Sequence, residues 1–515
     1  MRKLVTILFL LFNISQLSAN EVIYFWSGGI TSTSGRVNAV LQNPSENVRL
    51  VVGLDKIISQ PIYSEIVSAK GGNTVSLFVD KLQPNTTYYY CFEIDGIKYR
   101  NEKRTGSFKT FSVGSSSFTF VAGSCNFFPN NRVYDKMRDM NPLFLLMPGD
   151  LHYANPSSSD AEPHRIAYEE KVLQQPRESK FLKDIPIAYI WDDHDFCGDN
   201  NDGTSGCGLA AYQAYTEYVP HYDFGAPEGS RSIYQAFTVG RLRFIMTDLR
   251  SERREGDIMS IDQKNWFKKE VMLAKKNNQM VCWVSSVSYS GTRSDNWGAY
   301  PESRTELGNF FRDSNVTNLF IISGDAHMLA IDNGTHSDFS EGKNNTNLYP
   351  ILQSAALNNV GSDKGGEYSE GGTFPNPPFS SQWSKVEVID NGNSDICIKF
   401  TCYRMDLFTK VVRVMTCYQF CRTLDPDFTP LNSIQTYLSA TIKESKNTIY
   451  LSLEYQGKAT IKLLDYQGKL LLTQKDADIN NSYELNVTNL LSKGIYYVII
   501  ETGKQSFVSA LDLGN

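Results

Sequence analysis

Cysteine, aspartate, tyrosine and histidine, the side chains that hold metal ions in proteins, follow apolar runs of this sequence. Residues 143–147 form a run that is apolar on both faces, and Asp150 and Tyr153 come shortly after it. Such a run is typical of a central strand covered on both sides. Ligands of open α/β sheets bind beyond the carboxyl ends of the strands, so Asp150 and Tyr153 are predicted to point into one crevice. Taken alone, the motif also fits an aspartate that caps a turn beside a packed tyrosine.

Four further predicted strands end in the same kind of side chain. Independent turns would not be expected to place ligand-type residues repeatedly at this position, and two cations need a bridging carboxylate and several further donors. The set therefore predicts a dinuclear metal site. The four strand ends carry Cys125, then Asp193 and His194, then Asp248 and Arg250, then Asp325 and His327.

Length, charge and the first residues limit the class of protein. A chain of 515 residues exceeds the size at which one core keeps growing, so several domains are expected. A formal net charge of −6 argues against nucleic acid as the main partner. Residues 1–19 have the charged, apolar and small-residue regions of a signal peptide. No later stretch reaches the length of a membrane span, which predicts no transmembrane anchor.

The predicted organisation is multi-domain, with an N-terminal β-sandwich, a central α/β sandwich and a C-terminal β-sandwich. Residues 20–112 show only strand patterns, and a tyrosine corner is predicted at Tyr88 to Tyr90. Strands alternate with amphipathic helices such as 261–275 in the central part, which indicates layered α/β packing. The predicted boundaries are 1–19, 20–112, 117–422, a linker at 423–434, and 435–515.

The motifs at the strand ends, read in order, resemble those of the PhoD-like alkaline phosphatases of the metallophosphoesterase superfamily. The resemblance runs from about residue 117 to 379 and implies a layered α/β/β/α fold after a fibronectin type III-like domain. The motifs are Gly123-Ser124-Cys125, Gly149-Asp150-Leu151-His152-Tyr153, Trp191-Asp192-Asp193-His194-Asp195, Asp248-Leu249-Arg250 and Ser323-Gly324-Asp325-Ala326-His327.

The resemblance also implies roles for single residues. Asp150 is expected to bridge two cations, with Cys125 and Tyr153 on Fe³⁺, and Ca²⁺ as the second ion, other divalent metals being possible. Further ligands are expected to be Asp193, Asp325 and His327, with Asn126, Asn200 and Asp248 as additional candidates. His194 is the expected acid for the leaving group. Arg250 is the expected bidentate phosphate clamp, or else part of an ordinary salt bridge within residues 250–255.

Two pairs of cysteines are candidates for disulfides in an exported chain. Cys197 and Cys207 flank a loop after His194, and Cys402 and Cys417 lie on predicted strands. An odd total of nine leaves at least one sulfur unpaired, and we expect it to be Cys125.

The last 81 or so residues resemble the C-terminal sorting domain of type IX secretion in Bacteroidota. Strand patterns at 448–453, 460–465, 470–473 and 494–500 are separated by predicted turns at Gln456-Gly457 and Gln467-Gly468. The alternative is a carbohydrate-binding or adhesive sandwich. The resemblance implies passage through the periplasm to the outer-membrane surface or the medium, with the type IX machinery as a partner.

The combined prediction is a secreted phosphomonoesterase or phosphodiesterase that uses a metal-activated hydroxide. Its partners would be phosphate-ester small molecules or polymers. One alternative is a purple-acid-phosphatase-like enzyme, disfavoured because Cys125 stands where that group needs a carboxylate. The other is a surface binding protein whose phosphatase domain is inactive, which the intact set of donors argues against.

Overall fold

The protein forms two compact units, Met1–Pro426 and Asp427–Asn515, and their boundary falls inside the predicted linker. The structure is a computed structural model, and the predicted signal peptide lies outside the described residues. No helix of the described part is long and apolar enough to cross a bilayer. The described residues are 20–292, 295–342, 349–362, 364–425, 439–442, 448–465, 469–487, 495–502 and 506–512.

The first segment of the chain contributes strands to two different sheets. Strands β3, β4, β6, β7 and β8 form a five-stranded sheet, whereas β1, β2 and β5 extend a nine-stranded sheet of the central part. The predicted tyrosine corner is present, since the Gln83 N–H donates to the Tyr88 hydroxyl at 2.9 Å. The strands are β1 (Val22–Gly28), β2 (Gly35–Leu41), β3 (Val48–Gly53), β4 (Ile62–Tyr63), β5 (Thr74–Val79), β6 (Thr87–Ile94), β7 (Ile97–Tyr99) and β8 (Gly106–Lys109).

One apolar core joins the first segment to the central part. Strand β1 runs parallel to a central strand, with Gly28 opposite Ile187. Phe25 and Tyr90 belong to the same buried cluster as Phe120 and Leu145. Residues 20–112 therefore share a sheet and a core with the phosphatase-like part, which the sequence pattern did not predict.

The central part contains the remaining strands and the helices of the first unit. Its helix α6 has the predicted start, because Ser260 caps it by accepting the Gln263 N–H. The strands are β9 (Phe118–Ala122), β10 (Leu145–Pro148), β11 (Ile187–Ile190), β12 (Gln235–Val239), β13 (Leu242–Thr247), β14 (Met280–Ser285), β15 (Leu319–Ser323), β16 (Met328–Asp332), β17 (Ile351–Ser354), β18 (Thr373–Pro375), β19 (Ser380–Ile389), β20 (Asp395–Asp406) and β21 (Val412–Thr423). The helices are α1 (Val133–Asp139), α2 (Glu162–Tyr168), α3 (Pro176–Leu182), α4 (Asp193–Phe196), α5 (Gly208–Tyr218), α6 (Ile261–Lys276) and α7 (Pro301–Asp313), with a π-helical segment Glu169–Leu173 and 3₁₀ turns Gly71–Asn73 and Trp297–Ala299.

Two sheets pack face to face between layers of helices. The nine-stranded sheet has the order β21-β20-β19-β9-β10-β11-β1-β2-β5, and the seven-stranded sheet has the order β12-β13-β14-β15-β17-β16-β18. Phe120 and Phe144 of the first sheet meet Phe244 of the second, with ring centroids 5.4 and 5.5 Å away. Helices α1, α3 and α5 contact strands of the nine-stranded sheet, and α6 contacts β13 and β14. This is the layer order α/β/β/α that the resemblance implies.

The second unit contains one five-stranded antiparallel sheet. Its apolar core includes Ile449, Ile461 and Val498. The predicted turn at Gln456-Gly457 is wrong, because the strand continues through it with a register shift between Ser452 and Gln456. The turn predicted at 467–468 lies outside the described residues. The strands are β22 (Ser439–Ile442), β23 (Thr448–Asp465), β24 (Leu470–Asn486), β25 (Ile495–Glu501) and β26 (Ser506–Asp512).

Candidate metal centre

The carboxyl ends of both central sheets meet in one place. Strands β9, β10 and β11 run parallel in the first sheet, and β13, β14 and β15 run parallel in the second. A Cβ on Gly149 would lie 2.5 Å from the Asp192 Cβ, and a Cβ on Gly324 would collide with the Pro148 carbonyl oxygen. Glycine is required at both positions because the strand ends come so close together.

Three predicted ligands turn away from their strands in the left-handed backbone region. The φ angles are 62° at Cys125, 55° at Asp150 and 62° at Asp325. This conformation costs a residue with a side chain on the order of 1–2 kcal/mol, so three occurrences in one crevice are unusual outside functional sites. The surrounding packing holds the three side chains toward a common point.

The first group of donors consists of Cys125, Asp150 and His327, whose ligand atoms all lie within 4.8 Å of one another. The Tyr153 hydroxyl lies 2.8 Å from the Asp150 Oδ2 and 3.1 Å from the His327 Nε2. His327 Nδ1 lies 2.7 Å from the Val360 carbonyl oxygen, to which it donates. The lone pair of Nε2 therefore faces the group, as in a histidine that binds a metal.

The second group consists of Asp150, Asp193 and His194, again within 4.8 Å of one another. The Asp193 carboxylate accepts the N–H groups of His194 and Asn200, each at 2.7 Å. His194 Nδ1 lies 2.6 Å from the Asn155 Oδ1. Asp150 is common to both groups, which is the arrangement of a carboxylate that bridges two cations.

Two carboxylate oxygens in the crevice lack a hydrogen-bond partner. Asp150 Oδ1 and Asp325 Oδ2 are both buried and unpartnered. The other oxygen of Asp325 accepts from the Lys364 ammonium at 2.9 Å. Buried polar atoms almost always have a hydrogen-bond partner, so each of these two oxygens requires a nearby cation or a bound proton. The donor side chains and these two unpartnered oxygens are of the kind that would bind a pair of metal ions.

Burial and mutual repulsion shift the ionisation of these groups. Burial, and then the charges of Asp193, Asp192, Asp195 and Asp325, raise the pKa of Asp150 well above its ordinary value. Burial raises the pKa of Asp325 to about 8. A carboxylate that ionises so reluctantly gains strongly from a nearby cation.

Burial also shifts the pKa values of the thiol, phenol and imidazole donors. Burial, followed by the charge of Asp150, raises the pKa of the Cys125 thiol and of the Tyr153 phenol. Burial lowers the pKa of His327 to about 4, so its imidazole is neutral and free to bind a metal. Deprotonation of the thiol and phenol therefore needs the positive charge of a bound ion.

Arg250 has a different environment from the one that a phosphate clamp requires. Its side chain is fully buried between Asp192, with N–O distances of 2.6 and 2.9 Å, and Asp295, at 2.8 and 3.0 Å. Its remaining donor reaches the Asn201 carbonyl oxygen at 3.4 Å. All five N–H groups of the guanidinium are thus used inside the protein. Arg250 thus forms its salt bridges with Asp192 and Asp295 and not within residues 250–255, and its phosphate-clamp role stays a prediction.

Two of the three additional candidate ligands, Asn126 and Asp248, have side-chain oxygens that accept hydrogen bonds within the protein. Asp248 accepts from Trp191 Nε1, the N–H groups of Ile233, Arg250 and Ser251, and the Ser251 hydroxyl. Asp248 is therefore a structural carboxylate and is not free to bind a metal. Asn126 Oδ1 accepts from Asn358 at 2.7 Å, and Asn200 contributes its backbone N–H to Asp193.

The disulfide predictions have mixed outcomes. Cys197 and Cys207 are bonded, as predicted. The Cys402–Cys417 pair is wrong, because the register of β20 and β21 places Cys402 opposite Thr416, and the second disulfide instead joins Cys397 and Cys421. Cys125 is unpaired as expected, but four more cysteines are too, namely Cys91, Cys282, Cys402 and Cys417.

Sequence reasoning missed the residues that hold the ligands in place. Asn155 orients His194, the Val360 carbonyl orients His327, and Lys364 pairs with Asp325. Lys364 also lies 3.9 Å from Asp295, and its side chain is 30% exposed. These contacts come from loops far away in the chain, and no local spacing identifies them.

Comparisons with known proteins agree with both resemblances. Residues 120–349 match the family described as PhoD-like phosphatase, and residues 445–511 match the family described as Secretion system C-terminal sorting domain. The chain therefore carries a PhoD-like phosphatase domain followed by a secretion sorting domain, as predicted.

Two known proteins illustrate the similarity. "Alkaline phosphatase D" of Bacillus subtilis (strain 168) is 23% identical over 335 residues, which cover 54% of this chain and 57% of that protein. The match thus spans less than two thirds of the relative's length. A solved structure described as "Structure of PhoD" has a TM-score of 0.58 at 15% identity and covers 76% of this chain and 91% of its own. The latter match shows a common fold.

Proposed function

We propose that this protein is an exported, metal-dependent hydrolase of phosphoric esters with a dinuclear centre. The observation that supports it most is the position of Asp150 in both groups of potential ligands. The PhoD-like domain supports the same reaction class. The proposed ligands are Cys125, Asp150, Tyr153, Asp193, Asp325 and His327.

The proposed metals follow from the donor types. A thiolate and a phenolate suit Fe³⁺, which favours electron-rich anions, and carboxylate oxygens suit Ca²⁺ or another hard divalent ion. Bound cations of this kind activate water and neutralise charge on a phosphoryl group. The chain itself supplies the orientation of the ligands, through the Val360 carbonyl on His327 and the N–H groups on Asp193.

Lys364 is proposed to bind the phosphate, since the N–H groups of Arg250 already have partners within the protein. It lies beside Asp325 and is partly exposed, so its ammonium can reach a ligand in the crevice. Burial would lower its pKa, but the charges of Asp325 and Asp295 outweigh that effect and raise it. Lys364 therefore stays protonated at the pH at which a phosphate dianion binds.

His194 is proposed to protonate the leaving oxygen. The hydrogen bond between its Nδ1 and Asn155 fixes the ring, and its Nε2 lies 3.7 Å from the exposed carboxylate of Asp199. The Tyr153 ring also lies over the imidazole, with centroids 3.9 Å apart. A fixed imidazole with one free nitrogen can deliver a proton to an ester oxygen within hydrogen-bond reach.

The direct test combines metal analysis with a panel of phosphate monoesters and diesters. Natively purified protein should contain two metal ions per chain and hydrolyse at least one ester class, and chelation should abolish turnover. If Cys125 and Tyr153 bind Fe³⁺, the protein should be coloured, and Cys125→Ser should remove the visible absorption. A colourless, fully active enzyme with divalent metals only argues against iron. A metal-replete protein that hydrolyses none of the esters argues for the binding-protein alternative.

The sorting domain is proposed to address the protein to the type IX secretion machinery, and thereby to the cell surface or the medium. Deletion of residues 435–515 should leave hydrolysis by the purified protein unchanged but retain the protein in the periplasm. Cell fractionation and an activity assay on the truncated protein test both expectations. Loss of activity on truncation would instead make the C-terminal unit part of the enzyme.

A further inference from the structure

One side of the candidate metal centre carries exposed apolar side chains. Phe127 is 44% exposed, Phe128 is 55% exposed and Val360 is 51% exposed. Single exposed hydrophobic residues are ordinary on protein surfaces. Here, however, the Phe127 ring contacts the Tyr153 ring at a centroid distance of 5.2 Å, and the Val360 carbonyl holds His327. An apolar patch adjoining a candidate active site indicates contact with a ligand.

A buried amide fixes this patch. Asn358 is 4% exposed, and its Oδ1 accepts the Phe128 N–H at 2.7 Å. Its Nδ2 donates to the Phe128 carbonyl and to the Asn126 Oδ1, both at 2.7 Å. Asn358 thus ties the loop after Cys125 to the segment that supports His327. Because the backbone is already fixed, little conformational entropy would be lost when a ligand binds there.

The two phenylalanines form a corner. Their ring centroids are 4.6 Å apart and their planes meet at 77°. The edge of one ring therefore meets the face of the other, and both rings keep exposed surface. A flat ring can satisfy both surfaces by stacking on one and meeting the edge of the other, whereas a flexible chain gains no advantage from this geometry.

The crevice also carries polar groups. Lys364 and the Asn155–His194 pair lie there, and both are suited to the phosphoryl group and the leaving oxygen. A substrate with a charged phosphate and an apolar ring would match the polar groups and the apolar patch together. A small polar ester would leave the phenylalanines exposed to water.

We propose that Phe127 and Phe128 bind the organic group of the substrate and select phosphoric esters that carry a planar aromatic ring, such as an aryl group or a nucleobase. The inference rests on the proposed function and deepens it by assigning specificity residues.

Binding of non-hydrolysable probes to the full-length, metal-loaded protein tests this assignment. Calorimetry should show that Phe127→Ala and Phe128→Ala each weaken phenylphosphonate binding by about 10-fold, the size expected for loss of one stacking contact. Methylphosphonate binding should stay within about twofold. The ratio of kcat/KM for phenyl phosphate to that for glycerol phosphate should fall in parallel.

Phe78→Ala is the matched control. Phe78 is 45% exposed, like the two proposed residues, but it lies on β5 at the far edge of the nine-stranded sheet. That strand is four positions from β10, or roughly 19 Å at the usual strand spacing. Binding of both phosphonates should be unchanged in this variant. If the alanine variants fold poorly, Phe127→Leu and Phe128→Leu retain apolar volume without a flat ring and should show the same selectivity loss.

Different outcomes overturn different parts of the proposal. Equal weakening of both phosphonates would assign the phenylalanines a structural role only. If the variants lose affinity for hexylphosphonate and phenylphosphonate equally, the two phenylalanines bind an alkyl chain as well as an aromatic ring, and the preference for a planar ring is wrong. Hydrolysis by the wild type with unchanged selectivity in the variants defeats the specificity assignment alone. Absence of hydrolysis by the wild type with any ester defeats the proposed function as well.

Discussion

Two clusters of buried carboxylates lie side by side at the strand ends, and they differ in how their charge is neutralised. Around Arg250, the carboxylates of Asp192 and Asp295 are each paired with the guanidinium at 3.0 Å or less. Around Asp150, one oxygen of Asp150 and one of Asp325 have no partner. The first cluster is complete within the protein, whereas the second needs something from outside it.

The two clusters differ in their hydrogen-bond partners and not in residue type. Both clusters are rich in aspartate, both are buried and both occur at strand ends. A buried polar atom without a partner costs the protein free energy, and a bound ligand can offset that cost. In the Asp150 cluster the unpartnered oxygens coincide with converging donor groups, which is the combination that the proposed metal centre requires.

The largest effect is expected from Asp150→Asn, which alters the incomplete cluster. A neutral amide cannot bridge two cations, so we expect kcat/KM to fall by more than about 10³-fold, beyond the loss of a single transition-state donor. The metal-free protein should be at least as stable as the wild type, because a buried charge that other carboxylates repel has been removed. Steady-state kinetics and urea unfolding measure the two effects.

Asp248→Asn serves as the counterpart of that variant. Asp248 is equally buried but has a full set of partners, so its replacement should lower the urea midpoint. Wild-type turnover by Asp150→Asn with both metals retained would exclude the bridging role.

The next largest effect is expected from Arg250→Met, which alters the complete cluster. Removal of the guanidinium leaves Asp192 and Asp295 buried and unpaired, and we expect a loss of about 3–5 kcal/mol in the free energy of unfolding. Arg250→Lys keeps the charge but loses the bidentate geometry, so its loss should be smaller. Urea unfolding of both variants checks the order. Unchanged stability together with weaker phosphate binding would support the phosphate-clamp prediction.

Glu178 is a third case for the comparison. It has a buried oxygen without a hydrogen-bond partner, but it belongs to neither group of potential ligands found among the described residues. Its Oε2 is buried without a partner, and burial raises the pKa of the carboxyl to about 7. The folded state thus holds this proton more tightly than the unfolded state does. The resulting stability is fully present below pH 4.5 and is lost as the pH rises to about 7, a change of up to about 3 kcal/mol.

Glu178→Gln should remove this part of the pH dependence. The variant is expected to be more stable than the wild type at pH 8 and similar to it at pH 4.5, as measured by urea unfolding at both values. Parallel stability profiles of the two proteins would show that Glu178 is ionised in the folded state at neutral pH. Activity should not change, since Glu178 lies outside both donor groups.

The smallest effect is expected at Lys364, which lies between the metal centre and solvent. Lys364→Met should lower kcat/KM by about 10–100-fold, as is typical for residues that support a metal site, and weaken inhibition by inorganic phosphate. Lys364→Arg should recover part of the phosphate affinity because it keeps the charge. Equal phosphate inhibition in the wild type and Lys364→Met would indicate that this lysine only neutralises Asp325.

Features that depend on one stretch of chain could be predicted from the sequence. The apolar run before Asp150 specified a buried strand, and its glycine specified the turn that presents the ligand. The same reasoning predicted that Cys125, Asp193 and His327 would converge, since parallel strands end at one edge. The physical basis is local periodicity combined with a general rule of sheet topology.

Features that depend on pairing between distant segments could not be predicted. Arg250 has the same local signature as a phosphate clamp, but its guanidinium pairs with Asp192 and Asp295, which lie on other segments of the chain. The disulfide between Cys397 and Cys421 depends on the register of two strands, which alternation alone leaves open. The exposed phenylalanines beside Tyr153 likewise depend on Asn358, which is more than 200 positions later.

The insertion of the first strands into the central sheet has a consequence for how the chain folds. Residue Gly28 pairs with Ile187, and Ala122 of β9 pairs with Ser384 of β19. The main sheet therefore cannot be completed until most of the first unit has been synthesised, and domain-by-domain folding from the amino terminus is not available to it. Folding dominated by such distant pairings is slow. Slow folding prolongs the time during which the apolar strands of the first unit are exposed and prone to aggregate.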